Sequence, residues 1–200
     1  MIESPPSRQQ NPLVFLREFV RAPFQVGALA PSSRHLSSAM VADLNLGEAE
    51  AVVEFGPGMG AFTQALLPRL GSHTRYLAID INPTMVRTWQ ARFPGRTIVQ
   101  GSVADVQPIC QSQSIKHVDV IVSGLPWASF PDDLQIATLD GVRKVLRPGG
   151  RLVTFGYHIG TVLPAGRRFY RRLPEYFTRI TRSGYIWLNL PPAFVVTCYV

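Results

Sequence analysis

Apolar residues along this chain fall into two alternating rhythms. The runs 50–55, 75–80, 97–100, 118–123 and 151–156 are short and mostly apolar, which predicts buried strands. Between them, 61–70, 83–93 and 131–146 space their apolar residues for helices. Strands alternating with helices build a parallel sheet with right-handed crossovers, so the expected class is α/β. Upstream, Leu13, Phe15, Leu16, Phe19 and Val20 are interleaved with Arg17, Glu18 and Arg21, predicting an amphipathic helix. Ser32 or Ser33 is placed to cap a further helix over Arg34–Leu44. Polar, Pro-rich residues 1–11 are expected to be disordered, with a helical cap over 12–46 and one domain over 47–200. Near the end, Thr178–Leu190 and Ala193–Val200 read as two strands joined around Pro191-Pro192, an antiparallel hairpin on the sheet edge.

Composition narrows the setting. With 46% hydrophobic residues in 200, the chain can bury a full core. No apolar run approaches the roughly 18–20 residues of a membrane span, and the first ten residues do not read as a secretory signal. Cys110 and Cys198 lie far apart without ligand-like neighbours, so neither a disulfide framework nor a metal site is expected. They read as ordinary thiols in a reducing cytoplasm. The net charge is +7 and almost all of the positive charge is arginine. Arg167, Arg168, Arg171, Arg172, Arg179 and Arg182 stand against the single acid Glu175 in 161–200. Such an excess suits a polyanion, either nucleic acid or an anionic lipid surface, or serves as a solvated face.

Candidate chemistry concentrates at the ends of the predicted strands. Val52-Val53-Glu54-Phe55-Gly56-Pro57-Gly58-Met59-Gly60 is a buried strand, a glycine turn and then a helix start. This is where an α/β sheet holds a nucleotide-like ligand, and glycines let the backbone approach it. Gly56-x-Gly58-x-x-Ala61 also fits a dinucleotide fingerprint, but Glu54 would repel a pyrophosphate. It suits a ligand carrying an ammonium and a sulfonium, such as S-adenosylmethionine. Asp80, ending the second strand, can accept both ribose hydroxyls or cap the helix after Asn82-Pro83, with Ile81 on the adenine face. After the third strand, Gly101-Ser102-Val103 offers the Ser102 hydroxyl to the adenine amine, and Asp105 reads as a helix cap. After the fourth, Ser123-Gly124-Leu125-Pro126-Trp127 presents the carbonyls of Gly124 and Leu125 to a substrate amine. Trp127 either faces a cationic nitrogen or is a buried loop residue. The turn Leu146-Arg147-Pro148-Gly149-Gly150 is assigned no chemistry.

Taken in order, these motifs resemble a class I S-adenosylmethionine-dependent methyltransferase. More narrowly they resemble the bacterial phospholipid N-methyltransferases, which convert phosphatidylethanolamine stepwise to phosphatidylcholine. Most of the chain takes part: Val26-Gly27-Ala28 with Pro31-Ser32-Ser33, Arg92-Phe93-Pro94, Val122-Ser123-Gly124-Leu125-Pro126 and Asn189-Leu190-Pro191-Pro192-Ala193. Two departures stand out: Gly101-Ser102-Val103 where the family has Gly-Asp-Ala, and Tyr157-His158 in place of Tyr-Gly. The resemblance implies a Rossmann-like, mostly parallel seven-stranded sheet with helices on both faces. It implies S-adenosyl-L-methionine held by Ser33, Glu54, Gly56, Gly58, Gly60, Asp80, Ile81, Gly101, Ser102, Val103 and Ser123. Leu125, Trp127, Tyr157 and His158 would then lie on the acceptor side. The donor methyl is already activated, so alignment and water exclusion carry most of the catalysis. An ethanolamine nitrogen must still lose a proton; Tyr157 and His158 are the nearby polar groups, and His158 reads either as a general base or as a surface histidine.

The implied partner is an anionic phospholipid membrane surface, with a phospholipid amine as substrate and the protein peripheral to the inner membrane on its cytoplasmic side. Two other readings stay open. Ser123–Trp127 also looks like the Asn-Leu-Pro-Tyr motif of ribosomal RNA adenine dimethyltransferases, although nucleic acid is disfavoured because those enzymes usually carry a further helical domain. A small-molecule N- or O-methyltransferase with an altered pocket is the third reading.

Overall fold

The computed structural model describes residues 33–200. The expected disorder of 1–11, the amphipathic helix over 12–26 and the segment from Val26 to Ser32 lie outside these residues. Ser33 caps α1 (Arg34–Val41), its Oγ accepting the Leu36 amide at 3.2 Å. The alternation then unfolds as the pattern predicts: β1 (Ala51–Phe55), α2 (Ala61–Leu66), β2 (Arg75–Asp80), α3 (Pro83–Arg92), β3 (Thr97–Gln100). There follow α4 (Val106–Ser112), β4 (Val118–Ser123), α5 (Asp132–Val145), β5 (Leu146–Tyr157), α6 (Pro164–Tyr176), β6 (Arg179–Arg182) and β7 (Ala193–Tyr199). Asn82 starts α3 by accepting the Thr84 and Met85 amides, with Pro83 in the first turn, where a missing N–H costs nothing.

One seven-stranded sheet runs in the order β3-β2-β1-β4-β5-β7-β6, parallel except for β7. Strands β1 and β4 are buried along their whole length, which explains why they are apolar apart from Glu54, Asp119 and Ser123. Val53, Phe55, Ile79, Ile121 and Leu152 face α4, α5 and α6. Val52, Ala78, Val120, Val122 and Val153 face α1, α2 and α3. Cys110 and Cys198 are free and buried, and burial pushes their thiols up to about 11 and about 12.

Three expectations need correction. The strand over Thr178–Leu190 is only Arg179–Arg182 long: the Ser183 hydroxyl accepts the Val195 amide at 2.9 Å, taking the place of a strand carbonyl, and past it the pairing is reduced to the isolated Ile186–Ala193 bridge. Helices α4 and α6 went unread, although Gly166, Phe169 and Leu173 mark the buried stripe of α6. The turn 146–150 belongs to β5 and does structural work. Arg147 Nε donates to Asp119 at 2.5 Å, while the other Asp119 oxygen accepts the amides of Glu50 and Ala51 at 2.9 Å each. Burial pushes the Asp119 carboxyl upward, but the Ala51 amide and Arg147 outweigh it and hold it below the usual carboxylate range.

Asp119 therefore fastens the entry of β1 to β4 and β5. Asp119→Ala should destabilise the protein by about 2–4 kcal/mol, because it strands two buried amides and a guanidinium. Arg147→Gln should cost under about 1 kcal/mol, since that side chain is half exposed. Urea midpoints of the two variants check this ordering, and equal losses would contradict it.

Candidate functional site

The strand order reverses between β1 and β4, and the turns leaving these strands touch. The Gly56 amide donates to the Ile79 carbonyl of β2 at 2.9 Å, and the Gly124 amide to the Phe55 carbonyl of β1 at 2.8 Å. A Cβ on Gly124 would come within 2.7 Å of the Gly56 carbonyl oxygen, and one on Gly56 within 2.8 Å of a Leu125 methyl. Gly56 and Gly58 both have positive φ, but Gly58 differs from its neighbour in what lies before it. A Cβ there would meet no atom of the described residues within 4 Å. Gly60 also has positive φ and is covered by the Phe93 ring. Backbone thus approaches backbone at Gly56 and opens onto free space at Gly58.

Beneath this turn lies a buried polar cluster. Glu54 has no exposure, and its Oε2 accepts the Thr63 hydroxyl at 2.8 Å and the Tyr76 hydroxyl. The Trp89 indole donates to Thr63 Oγ1 at 2.9 Å, closing the group from α3. Glu54 Oε1 is buried and has no hydrogen-bond partner among the described residues. Burial raises the Glu54 carboxyl to about 7, with the Tyr76 and Thr63 hydroxyls pulling the other way. Tyr76 is pushed up in turn by burial and by the Glu54 charge. Thr63, Tyr76 and Trp89 were missed by the sequence reading. Their signal was weak, since polar atoms at strand and helix positions give no hint of which carboxylate they serve.

Asp80 ends β2 beside the turn. Its Oδ1 accepts the Asn82 amide at 2.8 Å and its Oδ2 the Gly58 amide at 3.3 Å. Burial raises its pKa, opposed by those two amides and by Ile81. The cap of α3 is Asn82, not Asp80. Across the next turn, Gly101 donates its amide to the Asp80 carbonyl at 3.0 Å. Ser102 and Val103 are buried, the Ser102 hydroxyl accepting the Ala104 amide at 3.3 Å, and Ile81 is half-buried nearby in the same wall of strand ends. Asp105 is exposed and makes no side-chain cap, contrary to expectation.

On the β4 side, Trp127 does not face a ligand cation. Its indole N–H donates to Ser123 Oγ at 3.2 Å and Thr154 Oγ1 at 3.1 Å, and its ring stacks on Phe169 with centroids 4.5 Å apart. Core packing took the ring because two hydroxyls at the strand ends satisfy its one polar atom. The Leu125 carbonyl accepts the Trp127 amide at 3.1 Å, while among the described residues no donor reaches the Gly124 carbonyl. Beyond β5, Tyr157 is half-buried beside Asn189, with burial raising its hydroxyl pKa. His158 is exposed, its Nδ1 2.7 Å from the Tyr185 hydroxyl. Asn189 is a fourth residue the sequence reading left without a role: its Oδ1 accepts the Ser33 amide at 3.0 Å and its Nδ2 donates to the Pro191 carbonyl at 2.8 Å. It brings segments 156 residues apart to one edge of the sheet.

Comparison with known proteins fits this geometry. Residues 53–152 match a family described as a methyltransferase domain. An ornithine lipid N-methyltransferase from Singulisphaera acidiphila is 34% identical over 189 residues, covering 92% of this chain and 94% of that one. An O-methyltransferase from Bacillus cereus, solved with S-adenosylhomocysteine, shares the fold at TM-score 0.68 and 15% identity over 94% of this chain and 91% of that one. The N-methyltransferase NodS from Bradyrhizobium japonicum, also solved with S-adenosylhomocysteine, has TM-score 0.64 and 19% identity over 95% and 98%. This chain belongs to the class I S-adenosylmethionine-dependent methyltransferases, and S-adenosylmethionine is its cofactor.

The Glu54 carboxyl makes the free enzyme sensitive to pH. Its folded pKa lies above its unfolded one, so its contribution to stability is full below about 4.5 and lost as pH rises through about 7. Relative to Glu54→Gln, the wild-type protein should lose on the order of 3 kcal/mol between these limits. Denaturant midpoints of both proteins across that range test it, and a gap that does not change with pH would refute it.

Proposed function

We propose that this enzyme methylates the head-group amine of a membrane aminolipid, phosphatidylethanolamine and its methylated intermediates, at the membrane surface. The observation that carries the reading is the 34% identity to an ornithine lipid N-methyltransferase across nearly the whole of both chains, acceptor side included. Ornithine and ethanolamine head groups share a primary amine on a short aliphatic arm, so one pocket chemistry serves both. The arginine-rich end of the chain suits an anionic surface on the cytoplasmic side of the inner membrane. Within it, Arg168 and Arg172 are already paired with Asp132, which leaves Arg167 and Arg171 on the exposed face of α6.

The residues fit the donor. Glu54 has one buried oxygen without a partner, which suits the donor's ammonium, and the open space at Gly58 suits close approach of its methionine part. Asp80 would take the ribose hydroxyls, with Ile81, Gly101, Ser102 and Val103 around the adenine. Ser33, Gly56, Gly60 and Ser123 would complete the walls. When bound, S-adenosylmethionine supplies a methyl group on a positively charged sulfur. The chain's own task is to align the acceptor nitrogen and keep water out. The Gly124 carbonyl, with that of Leu125, would hold the amine by its N–H groups, and Tyr157 and Asn189 border the head group. Tyr157 stays protonated near neutrality because burial raises its pKa, so it orients rather than deprotonates. Proton removal falls to water at the rim or to His158.

Two measurements test the reading. Calorimetry with S-adenosylhomocysteine should show affinity rising with pH up to about 7 for the wild type and flat for Glu54→Gln, because the ligand's ammonium favours the ionised carboxylate. Asp80→Ala should bind about 10- to 100-fold more weakly. Unchanged binding in both variants would remove the assignment. A bacterium lacking phosphatidylcholine and made to express this protein should accumulate mono-, di- or trimethylated phosphatidylethanolamine by mass spectrometry. Unmodified lipids alongside methylated ribosomal RNA or a methylated soluble amine would overturn the acceptor.

A further inference from the structure

The carboxyl edge of the sheet carries an apolar rim that neither the donor nor the acceptor amine uses. Trp187 is 74% exposed, Leu188 69% and Leu190 82%, all in the loop between β6 and β7. Val162 at 62% and Leu163 at 43% stand in the segment after β5. Tyr157 pairs with Ala193, so both segments leave the sheet at the edge where the glycine turn and Ser123 lie. His158 and Tyr185, with ring centroids 5.7 Å apart, join them.

The loop is inverted relative to an ordinary surface loop. Its polar residue, Asn189, is 3% exposed and bonded to Ser33 and Pro191, while the apolar residues on either side point outward. Ile186 bridges Ala193 and Tyr185 stands edge-on to Phe194, so the loop is held in this pose by its root. Single exposed apolar residues are common, but five on two joined segments mark a contact surface.

Charge selects the partner. Arg182 sits at the root of the loop, its guanidinium 3.7 Å over the Phe194 ring and its NH2 2.7 Å from the Tyr185 hydroxyl. Arg34 follows Ser33, and Arg167 and Arg171 follow Leu163, all three exposed. Neither 156–174 nor 176–200 contains an acid. Apolar side chains, including a tryptophan, within a collar of arginines suit the boundary between acyl chains and anionic head groups.

We propose that Trp187, Leu188 and Leu190, with Val162 and Leu163 beside them, insert into the interface of an anionic bilayer and set the mouth of the active site on it. Arg34, Arg167, Arg171 and Arg182 meet the lipid phosphates. The head group then reaches the Gly124 carbonyl without its acyl chains leaving the membrane. This rests on the lipid-amine reading for its purpose, though not for its geometry.

Trp187 provides the probe, because Trp89 and Trp127 are buried. Vesicles of phosphatidylethanolamine with phosphatidylglycerol should shift the protein's emission to the blue, protect it from acrylamide and allow quenching by lipids brominated near the head group. The variant Trp187→Ser, Leu188→Ser, Leu190→Ser keeps Asn189 and alters only exposed side chains. It should lose vesicle co-sedimentation and methylation of vesicle lipid by at least about tenfold. Its turnover of short-chain phosphatidylethanolamine dissolved as monomers should stay within about twofold, which shows that it folds. Emission unmoved by vesicles that the protein co-sediments with, or wild-type binding by the triple variant, would overturn the proposal. If Trp187 inserts while dissolved lipid amine goes unmethylated, the docking stands and the acceptor reading falls.

Discussion

A carboxylate taken wholly out of water loses several kcal/mol of hydration unless both of its oxygens find partners, and Glu54 has found them for only one. Thr63 from α2 and Tyr76 from β2 serve Oε2, and Trp89 from α3 holds Thr63 in place. Three elements are thereby committed to one charge, while Oε1 is left buried and unpaired. No packing advantage explains this, because a methionine or leucine would fill the space without the desolvation cost. A cationic group arriving at the glycine turn, as proposed for the donor's ammonium, would use that oxygen. The free enzyme tolerates the cost by raising the carboxyl to about 7, so that Glu54 carries a proton for part of the time.

The rest of the site follows from how the strands end. Because β1 and β4 are neighbours, their turns share a contact in which only glycine fits, and the two turns are held together by backbone rather than by side chains. A methyl transfer depends on a short, straight approach of nitrogen to methyl, and a rigid join between the two turns suits that demand. Trp127 strengthens the join from below by bonding Ser123 and Thr154 across β4 and β5. On the far side, Asn189 ties the start of α1 to the loop before β7, so that edge of the sheet is assembled from both ends of the described chain.

Much of this was legible in sequence, for physical reasons. Strands buried on both faces are mostly apolar, so β1 and β4 announced themselves despite Glu54 and Asp119, and the positive φ angles of the turn left glycine as its natural residue. What was lost depended on contacts distant in sequence. The length of β6 is set by a hydroxyl in Ser183 that replaces a strand partner, and no local propensity encodes it. Trp127 carried the same residue type for a ligand wall or a core, and the choice turned on Phe169, 42 residues later, and on Thr154. Arg147 looked like a turn residue because its partner, Asp119, lies on another strand. Glu54 stood out in the sequence as a carboxylate at a strand end, yet its neighbours and its unpaired oxygen became visible only in three dimensions.

The most direct test of the account is a crystal structure of the enzyme with S-adenosylhomocysteine. The account predicts the ligand's amino group hydrogen-bonded to Glu54 Oε1, directly or through one water, with the ribose hydroxyls on Asp80 and the homocysteine arm over Gly58. An amino group bound elsewhere, with Glu54 still sealed beneath the turn and Oε1 still unpaired, would contradict it.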